Sequence, residues 1–137
     1  MGENTIVIME KNIETNFLET ELATLKIQAN DEYLLNVFVM REKDENTENE
    51  NLKLHLKIST DKDVEDWQYE EIFNQYNEEI YAEMQLTISE DLEEFNPTWE
   101  IVFDYNDEAL ENQITKILSL HKTELSRINN EMKSDGE

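Results

Sequence analysis

The strongest constraint on the fold of this chain lies in its last third. From about residue 107 to 132, Leu110, Ile114, Ile117, His121, Leu125, Ile128 and Met132 recur at spacings of three and four. At 100° per residue they form one narrow stripe, which predicts a long helix with a single apolar side. Asn106 or Asp107 can cap it, and "KSDGE" (133–137) is expected to fray. The stripe must lie on a sheet of the same chain or on a partner.

The upstream sequence supplies material for a sheet. "LKLHLKIS" (52–59) alternates cleanly, with Leu52, Leu54, Leu56 and Ile58 on one side and Lys53, His55 and Lys57 on the other. That is a strand with one buried face and one solvated or charge-facing one. "TIVIME" (5–10) reads as a short strand and residues 20–28 as a second, with "AND" (29–31) as a hairpin turn after it. "EYLLNVFVMR" (32–41) has apolar residues on both faces, which suits a central strand. "YAEMQLTIS" (81–89) and "TWEIVFDY" (98–105) are two more strands, the latter with Trp99, Ile101, Phe103 and Tyr105 on one face. The polar run at 42–51 reads as a loop. "EDLEEFNP" is a connector that ends at Pro97.

The stretch between, "EDWQYEEIFNQYNEEIY" (65–81), holds five aromatics and six carboxylates with no base. With Asp63 as cap, a helix should run to about residue 80. On a helical wheel Tyr69, Ile72, Phe73, Tyr76 and Ile80 cluster, while Glu70, Glu71, Asn74, Gln75, Glu78 and Gln68 take the remaining arc. Trp67 points nearly opposite the apolar side. It either packs beneath the first turn or stands exposed beside Asp66, Glu70 and Glu71. The order is ββββ-α-ββ-α. The expected fold is a two-layer α+β domain, a mostly antiparallel sheet of about six strands with one mid-chain and one long C-terminal helix. A length of 137 residues suits a single domain spanning 1–137.

Charge is concentrated. The formal net charge is -23, and residues 59–108 carry 17 acids against one base, Lys62. A field of that sign repels nucleic-acid phosphates and anionic membranes, and steers a basic partner inward. No apolar run reaches transmembrane length and the first residues lack a secretory pattern, so a cytoplasmic location is expected by elimination.

The residue inventory excludes several chemistries. There is no cysteine, hence no disulfide, thiol nucleophile or thiolate metal site. The two glycines are Gly2 and Gly136, so phosphate loops, dinucleotide fingerprints and nucleophile elbows have no glycine to build on. Tight turns must use Asn, of which there are fifteen. Calcium loops starting at Asp61 or Asp104 fail at their sixth and twelfth positions, where Asp66 and Ile72, or Ala109 and Thr115, stand. His55 and His121 lie in different elements and in no ligand motif. His121, on the apolar stripe, reads as a packed, hydrogen-bonded histidine, and His55 as an exposed one. Neither a metal nor a cofactor is expected, and no catalytic residue is assigned.

These observations favour a non-enzymatic protein–protein interaction module. Its sharper form is an inhibitor or nucleic-acid mimic that binds a basic protein through carboxylates, with aromatic anchors among them. The candidate partner-binding residues are Trp67, Asp66, Glu70, Glu71, Glu78, Glu90, Asp91, Glu93 and Glu94. The alternatives are a structural or homo-oligomeric component, pairing through the C-terminal helix, and a small-ligand-binding protein or enzyme.

Overall fold

The computed structural model describes residues 4–12, 14–27, 31–43, 50–106 and 108–135. Its elements are β1 (Asn4–Lys11), β2 (Leu18–Ile27), β3 (Leu34–Lys43), β4 (Glu50–Ser59), α1 (Asp66–Gln75), β5 (Leu86–Asp91), β6 (Thr98–Asp104) and α2 (Leu110–Asp135). Short 3-10 turns at Asp31–Tyr33 and Glu78–Tyr81 precede β3 and follow α1. Six strands form one sheet in the order β2-β1-β3-β4-β6-β5. β1 and β3 run parallel and every other neighbouring pair is antiparallel. The fold is thus a mixed-sheet, two-layer α+β domain with the element order that the periodicities predict.

The alternation in β4 organises the sheet. Leu54, Leu56 and Ile58 lie opposite Phe103, Ile101 and Trp99 of β6, and all six are buried. On this face α2 lays down its stripe: Leu110, Ile114, Ile117, Leu118, His121, Leu125, Ile128 and Met132 are all buried. The apolar side of the last helix is therefore covered within the chain. What α2 leaves outside is polar.

Several boundaries differ from the sequence reading, each for a physical reason. The hairpin expected at 29–31 does not pair its flanking strands, because β1 lies between β2 and β3; residues 28–30 fall outside the described residues. The loop read at 42–51 is shorter, since β3 continues to Lys43 and β4 begins at Glu50, with 44–49 outside the described residues. The mid-chain helix ends at Gln75, not near 80. Tyr76 turns to extended backbone, and the Asn77 side chain accepts the Glu79 amide to start the 3-10 turn. The cap of α1 is Glu65 rather than Asp63, its amide donating to the Gln68 side chain at 2.9 Å. The fifth strand begins at Leu86, and α2 runs on to Asp135 through part of the expected fray, with 136–137 outside the described residues.

Asparagine replaces glycine at the turns, as the composition requires. Asn16 takes the left-handed region at φ 66° between β1 and β2. The side-chain oxygens of Asn12, Asn77 and Asn106 each accept an amide two residues on, the local bond that closes a turn.

Burial of the α2 stripe makes a direct prediction. Ile117→Ala should cost about 2–5 kcal/mol in urea unfolding. Lys116→Ala, one residue away on the exposed side, should stay within about 0.5 kcal/mol.

Candidate functional site

Two places in the molecule gather polar chemistry, one buried and one at the surface. The buried one centres on His121. A carbonyl can only accept, so His121 Nε2 donates to the Ser59 carbonyl at 2.7 Å. Nδ1 is then the acceptor for the Tyr76 hydroxyl at 2.8 Å, and the Tyr76 oxygen accepts from the Tyr81 hydroxyl at 2.7 Å. The chain therefore runs in one direction, from Tyr81 through Tyr76 and His121 to β4. Trp99, Tyr33 and Tyr76 pack round the imidazole, the first two edge-on. Burial pushes the His121 pKa down to about 4, against a smaller upward pull from the Ser59 carbonyl and Glu124. Burial likewise raises both tyrosine hydroxyls, which stay neutral.

Beside this chain, Glu124 of α2 is buried and held on both sides. Arg127 forks onto its two oxygens at 2.9 and 2.6 Å, and the Asn77 amide donates at 2.8 Å. Burial pushes the carboxyl up, but the Arg127 bonds and the Asn77 amide outweigh it and hold Glu124 below the usual range. Arg127 also donates to the Gln75 carbonyl at 2.7 Å. The clamp joins α2 to the exposed end of α1. Both buried groups are fully satisfied within the chain, which suits a positioning role.

The surface site lies where the β5–β6 connection meets the start of α1. Asn96 accepts the Val64 amide at 3.1 Å and donates to Asp63 at 3.0 Å. That tether joins the segment before α1 to the end of the β5–β6 connection. Three apolar side chains stand open there: Trp67 at 51%, Leu92 at 68% and Phe95 at 77%. The Trp67 indole donates to Glu65 at 2.7 Å, which fixes the ring outward beside carboxylates. Of the two positions considered for Trp67, the structure shows the exposed one.

The other candidate residues distribute round this end. Asp66 and Glu70 are exposed on α1, and Glu71 accepts from Gln75 at 2.6 Å. Glu90, opposite Trp99 in the sheet, is on the helix-covered side near Glu78. Burial, then repulsion from Glu90, raises the Glu78 carboxyl. Asp91 turns to the open face of the sheet, where Lys57 reaches it at 2.9 Å and Glu94 at 4.0 Å. Its bond to Lys57 holds it low, helped by the Glu93 amide. Glu93 is exposed. Asp91 is therefore already partnered, whereas Glu70, Glu90 and Glu93 face solvent.

On the open face of the sheet, each base of β4 meets an acid. Lys53 pairs with Asp104, and His55 lies 3.2 Å from Glu42 and 3.8 Å from Glu100. His55 is not the exposed residue its outward position implied. Its ring stacks on Phe38 at 5.1 Å with planes 1° apart, and Lys11 Nζ lies 4.8 Å from the centre of the same Phe38 ring. The basic stripe of β4 is thus neutralised locally, and the excess negative charge is left to the α1 and β5–β6 end.

Leu92 and Phe95 escaped sequence reasoning as site residues. They sit in a connector without period, between acids, and only their exposure marks them. The single local signal was two apolar residues stranded in "EDLEEFNP". Among the described residues no group of three or more His, Asp or Glu side chains could hold a metal ion, and no helix is long and apolar enough to cross a membrane. The surface pocket beside the site is about 350 Å³ and is lined by Ser89, Glu90, Asp91, Leu92, Glu93 and Glu100.

The fold and site define a small acidic α+β domain whose exposed apolar residues stand among carboxylates. The family model described as a family of unknown function, DUF6762, matches residues 1–137, and the chain belongs to that family. No curated protein and no solved structure matches it.

The buried histidine yields a pH prediction. The folded pKa of about 4 lies below the ordinary 6.5, so below pH 6.5 the unfolded chain takes up a proton that the folded chain refuses. The contribution is whole above pH 6.5 and is lost between 6.5 and 4, by about 3 kcal/mol. NMR titration of the His121 ring should show it neutral at pH 5. A midpoint near 6.5 in the folded protein would contradict the burial argument.

Proposed function

We propose that this protein is a non-catalytic interaction module whose partner is a basic protein, bound at the end carrying Trp67, Leu92 and Phe95. One observation carries the reading: three exposed apolar side chains lie, among solvent-facing carboxylates, on two segments that Asn96 joins. Carboxylates alone give long-range attraction and fast encounter, but exposed pairs add little to affinity. Desolvated aromatic and aliphatic anchors supply what charge lacks. The site has both, and Lys57 on the neighbouring open face is engaged by Asp91.

In its sharper form the module blocks a partner's basic surface, an inhibitor that occupies a site shaped for phosphates. Glu70, Glu90 and Glu93 would meet lysines and arginines, and Trp67 with Phe95 would fix the register. The buried His121 chain and the Glu124 clamp would then serve the site only by holding α1 and the β5 end in place.

Immobilised protein should retain a basic partner from native extract at 50 mM salt and release it near 500 mM, as screening shortens the electrostatic range to a few Å. The Trp67→Ser/Phe95→Ser double variant should lose at least tenfold in retention while its unfolding midpoint stays within about 0.5 kcal/mol of wild type. Equal retention by the double variant would remove these residues from the interface.

A further inference from the structure

The sheet has two edges, β2 and β5, and they are defended differently. Edge strands are usually blunted by bulges, proline or lysine. β2 pairs with β1 through two register shifts and carries Lys26. β5 pairs with β6 in unbroken register and has neither lysine nor proline. Only carboxylates guard it.

The direction of its backbone groups follows from the ladder. In antiparallel pairs, hydrogen-bonded and non-bonded positions alternate. Tyr105 donates to the Leu52 carbonyl at 3.0 Å, one step beyond the Lys53–Asp104 pair. The bonded pairs between β4 and β6 are therefore Leu54–Phe103, Leu56–Ile101 and Ile58–Trp99. Val102, Glu100 and Thr98 must then bond toward β5, at Thr87, Ser89 and Asp91. That leaves the amides and carbonyls of Ile88 and Glu90 aimed away from the sheet. The Leu86 amide agrees with this parity, since it donates to the Met84 carbonyl and not to β6.

Carboxylates flank this edge on both faces. Glu78 and Glu90 lie on the helix-covered side, where burial and then repulsion from Glu90 disfavour the charge on Glu78. Glu93 and Glu100 line the pocket on the open side, with Asp91 already held by Lys57. A second copy of this chain would bring like charge against like. A cation placed between Glu78 and Glu90 would relieve their repulsion.

We infer that β5 is a docking edge at which an extended, basic segment of the partner adds as a seventh strand, bonding to the backbone of Ile88 and Glu90. Alternate side chains of such a strand project to opposite faces. One set meets Glu78 and Glu90, and the other meets Glu93 and Glu100. Main-chain bonds give affinity in strand addition, and side chains give selectivity. The inference rests on the proposed binding of a basic partner and specifies its form.

The test uses the intact protein and a nine-residue peptide alternating lysine with valine. Two versions are N-methylated at alternate residues, one for each parity, with charge unchanged. One parity should bind at least about tenfold more weakly than the plain peptide, and the other within about twofold. Hydrogen exchange at Ile88 and Glu90 should slow on binding the plain peptide. Equal binding of all three peptides would overturn strand addition and leave the acidic docking surface standing. Failure of the plain peptide, with salt-sensitive retention of a native basic partner intact, would also overturn strand addition alone. Failure of both would remove the reading beneath it as well. Protection of the same amides in a concentration-dependent dimer would assign the edge to a second copy instead.

Discussion

The buried bond from His121 to the Ser59 carbonyl is the contact on which the two layers depend for their alignment. Apolar burial alone lets a helix slide on a sheet, because contacts between aliphatic side chains are non-directional. The hydrogen-bond chain has one direction and fixed lengths, so it specifies where α2 sits along β4. Tyr76 and Tyr81 extend that specification to the segment after α1, and this explains why the helix stops at Gln75. Were α1 to continue through residue 80, the Tyr76 hydroxyl could not reach the imidazole while Tyr81 reached Tyr76. The Glu124–Arg127 clamp closes the same junction from outside, with Gln75 and Asn77 as its anchors.

Charge is distributed with the same economy of position. On the open face of the sheet β4 carries two lysines and a histidine, and each lies beside a carboxylate from a neighbouring strand or loop. That cancels the basic stripe where it stands. The connection after β5 and the start of α1 have many acids and few bases to answer them, so the field of the molecule concentrates there. Trp67, Leu92 and Phe95 stand exposed on the segments that carry these acids. The unbulged edge of β5 ends at Asp91, and Leu92 follows it directly in the chain.

Much of this was legible before any coordinates. Period two in Leu52–Ile58 and in Trp99–Phe103 named two strands, because a half-buried strand must alternate. The spacing of Leu110 to Met132 named α2 and its buried side, and put His121 in the core. Elsewhere local pattern was insufficient. Nothing in "AND" distinguishes a hairpin from a crossover, since strand pairing depends on which edge is free when β3 arrives. His55 occupies an outward position, but a neighbouring Phe38 on another strand removes it from solvent. Trp67 had two physically reasonable positions, and the choice depends on what lies above the first turn of α1.

The sequence by itself determined the two layers, the identity of the core, the absence of thiol and glycine-loop chemistry, and the excess of acid in the middle third. These follow from composition and short-range periodicity, which constrain each element separately. The tertiary structure alone decided the order β2-β1-β3-β4-β6-β5, the turning of Ile88 and Glu90 toward an unpaired edge, and the joining of the segment before α1 to the β5–β6 connection through Asn96. Each of those joins residues far apart in the chain. Such contacts are set by which surfaces remain unburied after the helices settle on the sheet, and no local pattern encodes that.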